Sequence, residues 1–183
     1  QMLNAGIRLP ASTGSDWFLC SGNRVYAHSD GPFDYESWVE ALTSGRTFIT
    51  NGPALTLSVD GQAPGSEVEA PSGGRLSTLV NWKSHYPIGR VEVVTNGAVV
   101  AAESYPRGST EGKLQAYVAA DTDGWVAARV SSETRDSYLQ PIFAHTSPVY
   151  VNAGSDGPHK LEAARHFVAD IDESLELVSK KGK

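Results

Sequence analysis

Asp16 is the residue best placed to do chemistry. It closes Thr13-Gly14-Ser15-Asp16, a loop of small residues that follows a short extended run. Barrel enzymes hold catalytic groups and metal ligands in such loops, and an Asp beside Gly and Ser also serves as a turn former or helix cap. The histidines are His28, His85, His145, His159 and His166, and no two of them show the close spacing of a metal motif. His159 and His166 share a helical face, but two turns separate them by ~10 Å, too far for one ion. His145 sits beside Thr146-Ser147-Pro148 between two apolar runs. It reads as a site residue or as a loop histidine bonded to the main chain. No Gly-x-Ser-x-Gly elbow and no phosphate-cradling glycine loop is present. Trp82, Tyr86, Trp125 and Tyr138 would stack sugars if exposed, although strand alternation assigns Trp82 and Trp125 to a core.

The elements that must position these groups fall into three stretches. Gln1-Met2-Leu3-Asn4-Ala5-Gly6 reads as the last turn of a helix with Gly6 as its stop, or as a frayed tail. One turn cannot nucleate a helix, so the first reading expects the helix to begin upstream. Ser21 to Phe33 reads as loop. Asp34 is the N-cap of a helix whose Tyr35, Trp38, Val39 and Leu42 make one apolar stripe. Gly45-Arg46 ends that helix, Thr47 to Thr50 suits a strand, and Asn51-Gly52-Pro53 is turn chemistry.

From Ala54 the period changes to two. Leu55, Leu57 and Val59 alternate with polar residues, as do Leu76, Thr78, Val80 and Trp82, then Val91, Val93 and Thr95. Asn96-Gly97 between two such runs is a strong hairpin signal, because both turn positions need positive φ. Further runs at Leu114–Ala120, Trp125–Val130, Ile142–Ala144 and Val149–Val151 bring the total to roughly seven to nine strands, which predicts an immunoglobulin-like β-sandwich. A final helix opens at Asp156-Gly157-Pro158. It carries Leu161, Ala164, Val168, Ile171, Leu175 and Val178 at spacings of three and four, a narrow stripe that predicts docking on a partner surface.

Composition removes several function classes. The net charge of −6 argues against a nucleic-acid binder, which needs a basic face. A single cysteine, Cys20, excludes an internal disulfide and a cysteine-rich zinc site. No apolar run approaches the ~20 residues of a membrane-spanning helix.

Several blocks, in order along most of the chain, carry a resemblance. Leu3-Asn4-Ala5-Gly6-Ile7-Arg8-Leu9-Pro10 followed by Ala11-Ser12-Thr13-Gly14-Ser15-Asp16 resembles the last barrel segment of PHP-type (polymerase and histidinol phosphatase) metallohydrolases, best the branch similar to carbaryl hydrolase. That branch continues with a helix, a Gly-Arg joint, Thr-Asn-Gly-Pro, and later His-Thr-Ser-Pro-Val-Tyr. Here these are Trp38 to Leu42, Gly45-Arg46, Thr50-Asn51-Gly52-Pro53 and His145-Thr146-Ser147-Pro148-Val149-Tyr150. The resemblance implies a distorted α/β barrel that binds zinc, manganese or iron through His, Asp and Glu, with Asp16 as a ligand. Many members carry a His two positions after that Asp, where this chain has Phe18.

The chain is therefore expected to be mainly β and to be the C-terminal part of a metal-dependent hydrolase of phosphoesters or of carboxylic or carbamate esters. Residues 1–50 would be the end of a barrel, 51–153 an accessory sandwich, and 154–183 a docking helix that packs back across one of them. Arg24 and His145 are candidate substrate contacts. The partner would be the upstream barrel segment, with a homodimer through residues 1–50 as a second way of covering that stretch. By itself the chain is expected to hold no metal and to be inactive. The reading from another class is a non-catalytic sandwich that binds glycan or protein.

Overall fold

The computed structural model describes residues 1–14, 21–29, 31–70 and 73–181. Asp16 and Phe18 lie outside the described residues. The elements are β1 (Arg24–Ala27), α1 (Tyr35–Ser44), β2 (Thr47–Thr50), β3 (Ala54–Val59), β4 (Glu67–Glu69), β5 (Gly74–Thr95), β6 (Ala98–Ala120), β7 (Gly124–Arg135), β8 (Pro141–Thr146), β9 (Val149–Asn152) and α2 (Pro158–Lys181). The protein is mainly β, with a helix near its C-terminal end.

The nine strands are hydrogen-bonded into one sheet that folds over on itself along β5 and β6, so that two layers enclose a common core. The first part of β5 pairs antiparallel with β3, Val59 opposite Thr78 and Ala54 opposite Lys83. Its last part, Arg90 to Thr95, pairs with β7 instead. β6 follows β5 along almost its whole length, with register shifts between Lys83 and Arg90 where the hairpin passes from one layer to the other. Beyond β7 the second layer continues through β8 and β2 to β1, while β9 pairs with the start of β7 and carries β4 in parallel.

The expected alternation decides what lies between the layers. Leu55, Leu57 and Val59 of β3, with Leu76, Val80 and Trp82 of β5, meet Val91, Val93, Val126, Val130 and Ile142 in one continuous core. Each such side chain contributes roughly 1.5–3 kcal/mol relative to exposure. Asn96 and Gly97 take φ of 49° and 88°, the positive values expected of this two-residue turn.

Four expectations are corrected. Arg24–Ala27, expected within a loop, forms β1, the outermost strand of the second layer. The sheet runs across residue 50, because β1 and β2 are hydrogen-bonded into it through β8. The α1 stripe is not buried. Tyr35 and Trp38 are exposed, and Ala41 is the one fully buried residue of the helix; Asp34 caps it through the Ser37 N–H as expected. Finally, α2 does not pack back across the sandwich. Ala163 near its start is buried, while Leu161, Val168, Ile171, Leu175 and Val178 are all exposed.

Residues 1–11 lie along the outer face of the second layer. Gln1 to Gly6 make a single turn, the Ala5 N–H donating to the Gln1 carbonyl and Gly6 closing it at φ 85°. Leu3 packs on Val94, Trp125 and Ala127. Asn4 accepts from the Trp125 indole N–H at 2.7 Å and donates to the Asn96 carbonyl at 3.0 Å.

Candidate functional site

The middle of the second layer's outer face holds the charged groups. Strand pairing sets Ile49, His145, Arg129 and Glu92 side by side on four neighbouring strands. Glu92 is buried and receives Arg90 Nε on one carboxylate oxygen at 2.5 Å and Arg129 Nε on the other. Burial pushes its carboxyl up, but the hydrogen bonds and charges of the two guanidinium groups outweigh that and hold it below the ordinary range. The His145 imidazole is pulled below its usual value by burial and by the Arg129 charge, against a raising contribution from its own contact with the Thr146 carbonyl. That contact occupies Nδ1 at 2.7 Å.

His145 thus has Nδ1 on the main chain and a cation, Arg129, beside its ring. Among the described residues no three His, Cys, Asp or Glu side chains converge on a point that could hold an ion. Arg24 does not join His145. Arg24 stands opposite Thr50 and, across β2, Ala144, whereas His145 stands opposite Ile49, so the two residues leave opposite faces of the sheet. The Arg24 guanidinium instead donates to the Gly22 carbonyl at 3.2 Å.

The two blocks around β2 and β8 are knotted to each other by buried polar bonds. The Asn51 amide donates to Asp136 Oδ2 at 3.1 Å and to the Pro141 carbonyl at 2.9 Å, and its Oδ1 accepts from the Phe143 N–H at 2.8 Å. Thr50 Oγ1 donates to the Phe143 carbonyl and accepts from the Gly52 N–H. Ser147 Oγ lies 2.7 Å from Thr47 Oγ1 and accepts from the Ala11 N–H. Each buried polar atom in this knot has a partner, as burial requires. The Thr-Asn-Gly-Pro and His-Thr-Ser-Pro segments therefore fasten the chain that precedes β3 to β8.

A second feature lies where the sandwich is open. The terminal strands of the two layers, β1 and β3, are not bridged, and a cleft of about 370 Å³ separates them. Tyr26 and Phe48 stack with ring centroids 5.1 Å apart and form one wall, with Leu55, Leu57 and Pro64 among the residues opposite. His28 and Arg46 stand at the same cleft. Its chemistry is apolar contact with a few polar groups near the opening, the usual make-up of a binding cleft. Sugar stacking has less to work with, since Trp82 and Trp125 are both buried, as the alternation predicts.

Sequence reasoning found His145 but not the Glu92 pairing or the Tyr26–Phe48 wall. Both depend on which strands become neighbours, and the four residues of β1 are too few to show a period.

Comparisons with known proteins add little. No protein-family model and no curated protein matches the chain. Among solved structures, the NMR structure of a CARDB domain from Pyrococcus furiosus is similar at 15% identity and a TM-score of 0.32, over 55% of this chain and 96% of that one. A likeness that loose bears on neither the fold nor the function of this chain.

Proposed function

We propose that this chain is the C-terminal part of a PHP-like metal-dependent hydrolase, with an immunoglobulin-like accessory sandwich that takes in β1 and β2, and with the rest of residues 1–50 closing an α/β barrel supplied by the upstream segment of the same protein. The supporting observation is the apolar surface of that stretch. Ile7, Leu9, Phe33, Tyr35 and Trp38 are all exposed, Phe33 at 81% and Tyr35 at 73%. These side chains lie in the part of the chain that resembles the barrel's end, and exposed apolar groups clustered in one segment mark a surface that another surface covers. In the intact protein a divalent metal, with Asp16 as one ligand and the others upstream, supplies activated water for ester or phosphoester hydrolysis. This chain's own part is to brace the barrel, with β1 and β2 built into the sandwich and α1 held out from it.

The test compares this chain with a version extended upstream. Bound metal, hydrolysis of an ester and phosphoester panel, and amide exchange at residues 7–9 and 33–38 are measured on both. The extended protein is expected to hold metal, to lose it on Asp16→Asn, and to protect those amides, while the shorter chain turns nothing over. Turnover by the shorter chain, or an extended protein whose residues 7–9 and 33–38 exchange as fast as before, overturns the proposal.

The apolar cleft favours a second reading, a binding module that takes an apolar side chain or peptide segment between β1 and β3. Titration with short apolar peptides, followed by NMR, is expected to shift Tyr26, Phe48 and Ala63. Unmoved signals would reduce the cleft to an open end of the sandwich.

A further inference from the structure

α2 is a helix of 24 residues, ~36 Å long, and its apolar residues repeat without a break. Leu161, Val168 and Leu175 take the first position of successive heptads, and Ala164, Ile171 and Val178 the fourth. That is the seam of a coiled coil. The helix touches the sandwich elsewhere, since Ala163 is buried and His159 and Phe167, one turn to either side of it, are half-buried. On the seam, Leu161, Val168, Ile171, Leu175 and Val178 are between 57% and 69% exposed.

We infer that the seam pairs with the same seam of a second copy of this chain, and that the two helices run antiparallel. Two independent features select the copy and its direction. The first is volume. Antiparallel pairing sets Leu161 against Val178, Ala164 against Leu175 and Val168 against Ile171, so each layer combines one first-position residue with one fourth-position residue and the smallest side chain meets a leucine. Parallel pairing sets Ala164 against Ala164 and leaves a gap there, at a cost in packing.

The second feature is charge. Arg165 and Asp172 both follow a fourth-position residue and so flank the seam on one side. Antiparallel pairing brings Arg165 of one copy beside Asp172 of the other, twice. Parallel pairing instead brings Lys160 beside Arg165 and Phe167 beside Asp172. Two contacts turned away from the seam lie within the helix, His166 Nδ1 to Asp170 Oδ2 at 3.0 Å and Lys180 to Glu176 at 2.8 Å. Among the described residues Arg165 and Asp172 take part in no such pair.

The inference is independent of the hydrolase reading, since it concerns only α2. Its test is sedimentation of the whole chain over a concentration series, with charge variants at the two exposed flanking positions, which leave the monomer's packing untouched. The chain is expected to dimerise. Arg165→Asp should weaken the dimer about tenfold, Asp172→Arg should do the same, and the double swap should restore it. Leu175→Asp should abolish it. A chain that stays monomeric throughout overturns the inference. So does a dimer indifferent to these variants, which would place association on residues 1–50, and so does a dimer strengthened by Arg165→Asp, which would mean parallel helices.

Discussion

Residues 1–11 and α2 both carry apolar side chains, and the sandwich treats them oppositely. The leading segment has no element of its own beyond a single turn, yet it is held against the sheet. Leu3 sits on Trp125, Asn4 bonds to the indole and to the β5–β6 turn, Arg8 lies 4.7 Å over the Tyr150 ring and reaches Glu67 at 2.6 Å, and Ala11 is bonded to Ser147. α2 is a fully formed helix and leaves its seam open. A segment too short to be stable alone keeps its shape only by tertiary contact, whereas a long helix can be complete locally and keep its apolar face for something else. The contrast separates surface used for this domain's folding from surface available for association.

The contrast breaks most readily at Trp125. Trp125→Ala removes the indole that Leu3 covers and the donor that Asn4 accepts, and should cost about 3 kcal/mol in denaturant unfolding, with residues 1–6 released to fast amide exchange. Loss of stability without release of that segment would mean that Leu3 and Asn4 hold on by other contacts.

A smaller effect is expected from pH, acting on the sheet and not on the helix. Because folding lowers the His145 pKa, the unfolded chain binds more protons below its ordinary value of 6.5. Stability contributed by the neutral ring is full above that value and declines as pH falls through it towards the folded pKa. Glu92 adds a second decline only at lower pH, below 4.5, because its pKa is also lowered by folding. Thermal unfolding across this range should slope downward with acid, and His145→Gln should flatten the part nearer neutrality while leaving the Glu92 part. An unchanged slope in the variant would remove His145 as the cause.

The smallest effect should come from the seam. Leu175→Ala in dilute solution, where the chain is a monomer, should change stability by less than about 0.5 kcal/mol, since the side chain is already exposed. A larger loss would show that α2 is packed against its own sandwich.

How much of this could be read beforehand follows from range. Alternation at Leu55–Val59 and Leu76–Trp82 named the inward faces correctly, and Asn96-Gly97 named its turn, because those signals are local. α1 looked amphipathic, but Tyr35 and Trp38 remain exposed, since periodicity marks a face without saying what meets it. The Glu92–Arg129 pairing joins residues far apart in the chain through a register no single strand displays. The site was legible only in part: His145 stood out by its neighbours, while its place beside Arg129 follows from strand pairing.

The long β5–β6 hairpin has a consequence for how the chain finds its fold. Its pairing begins at Thr95 opposite Ala98 and ends at Gly74 opposite Ala120. Each new rung closes only a small increment of loop once the previous one has formed, so the entropic cost of joining distant residues is spread over many cheap steps. Because the same hairpin supplies strands to both layers, zipping outward from Asn96-Gly97 leaves one template on each side of the future core. The other strands pair with edges of that hairpin, β3 with its first part and β7 with its last.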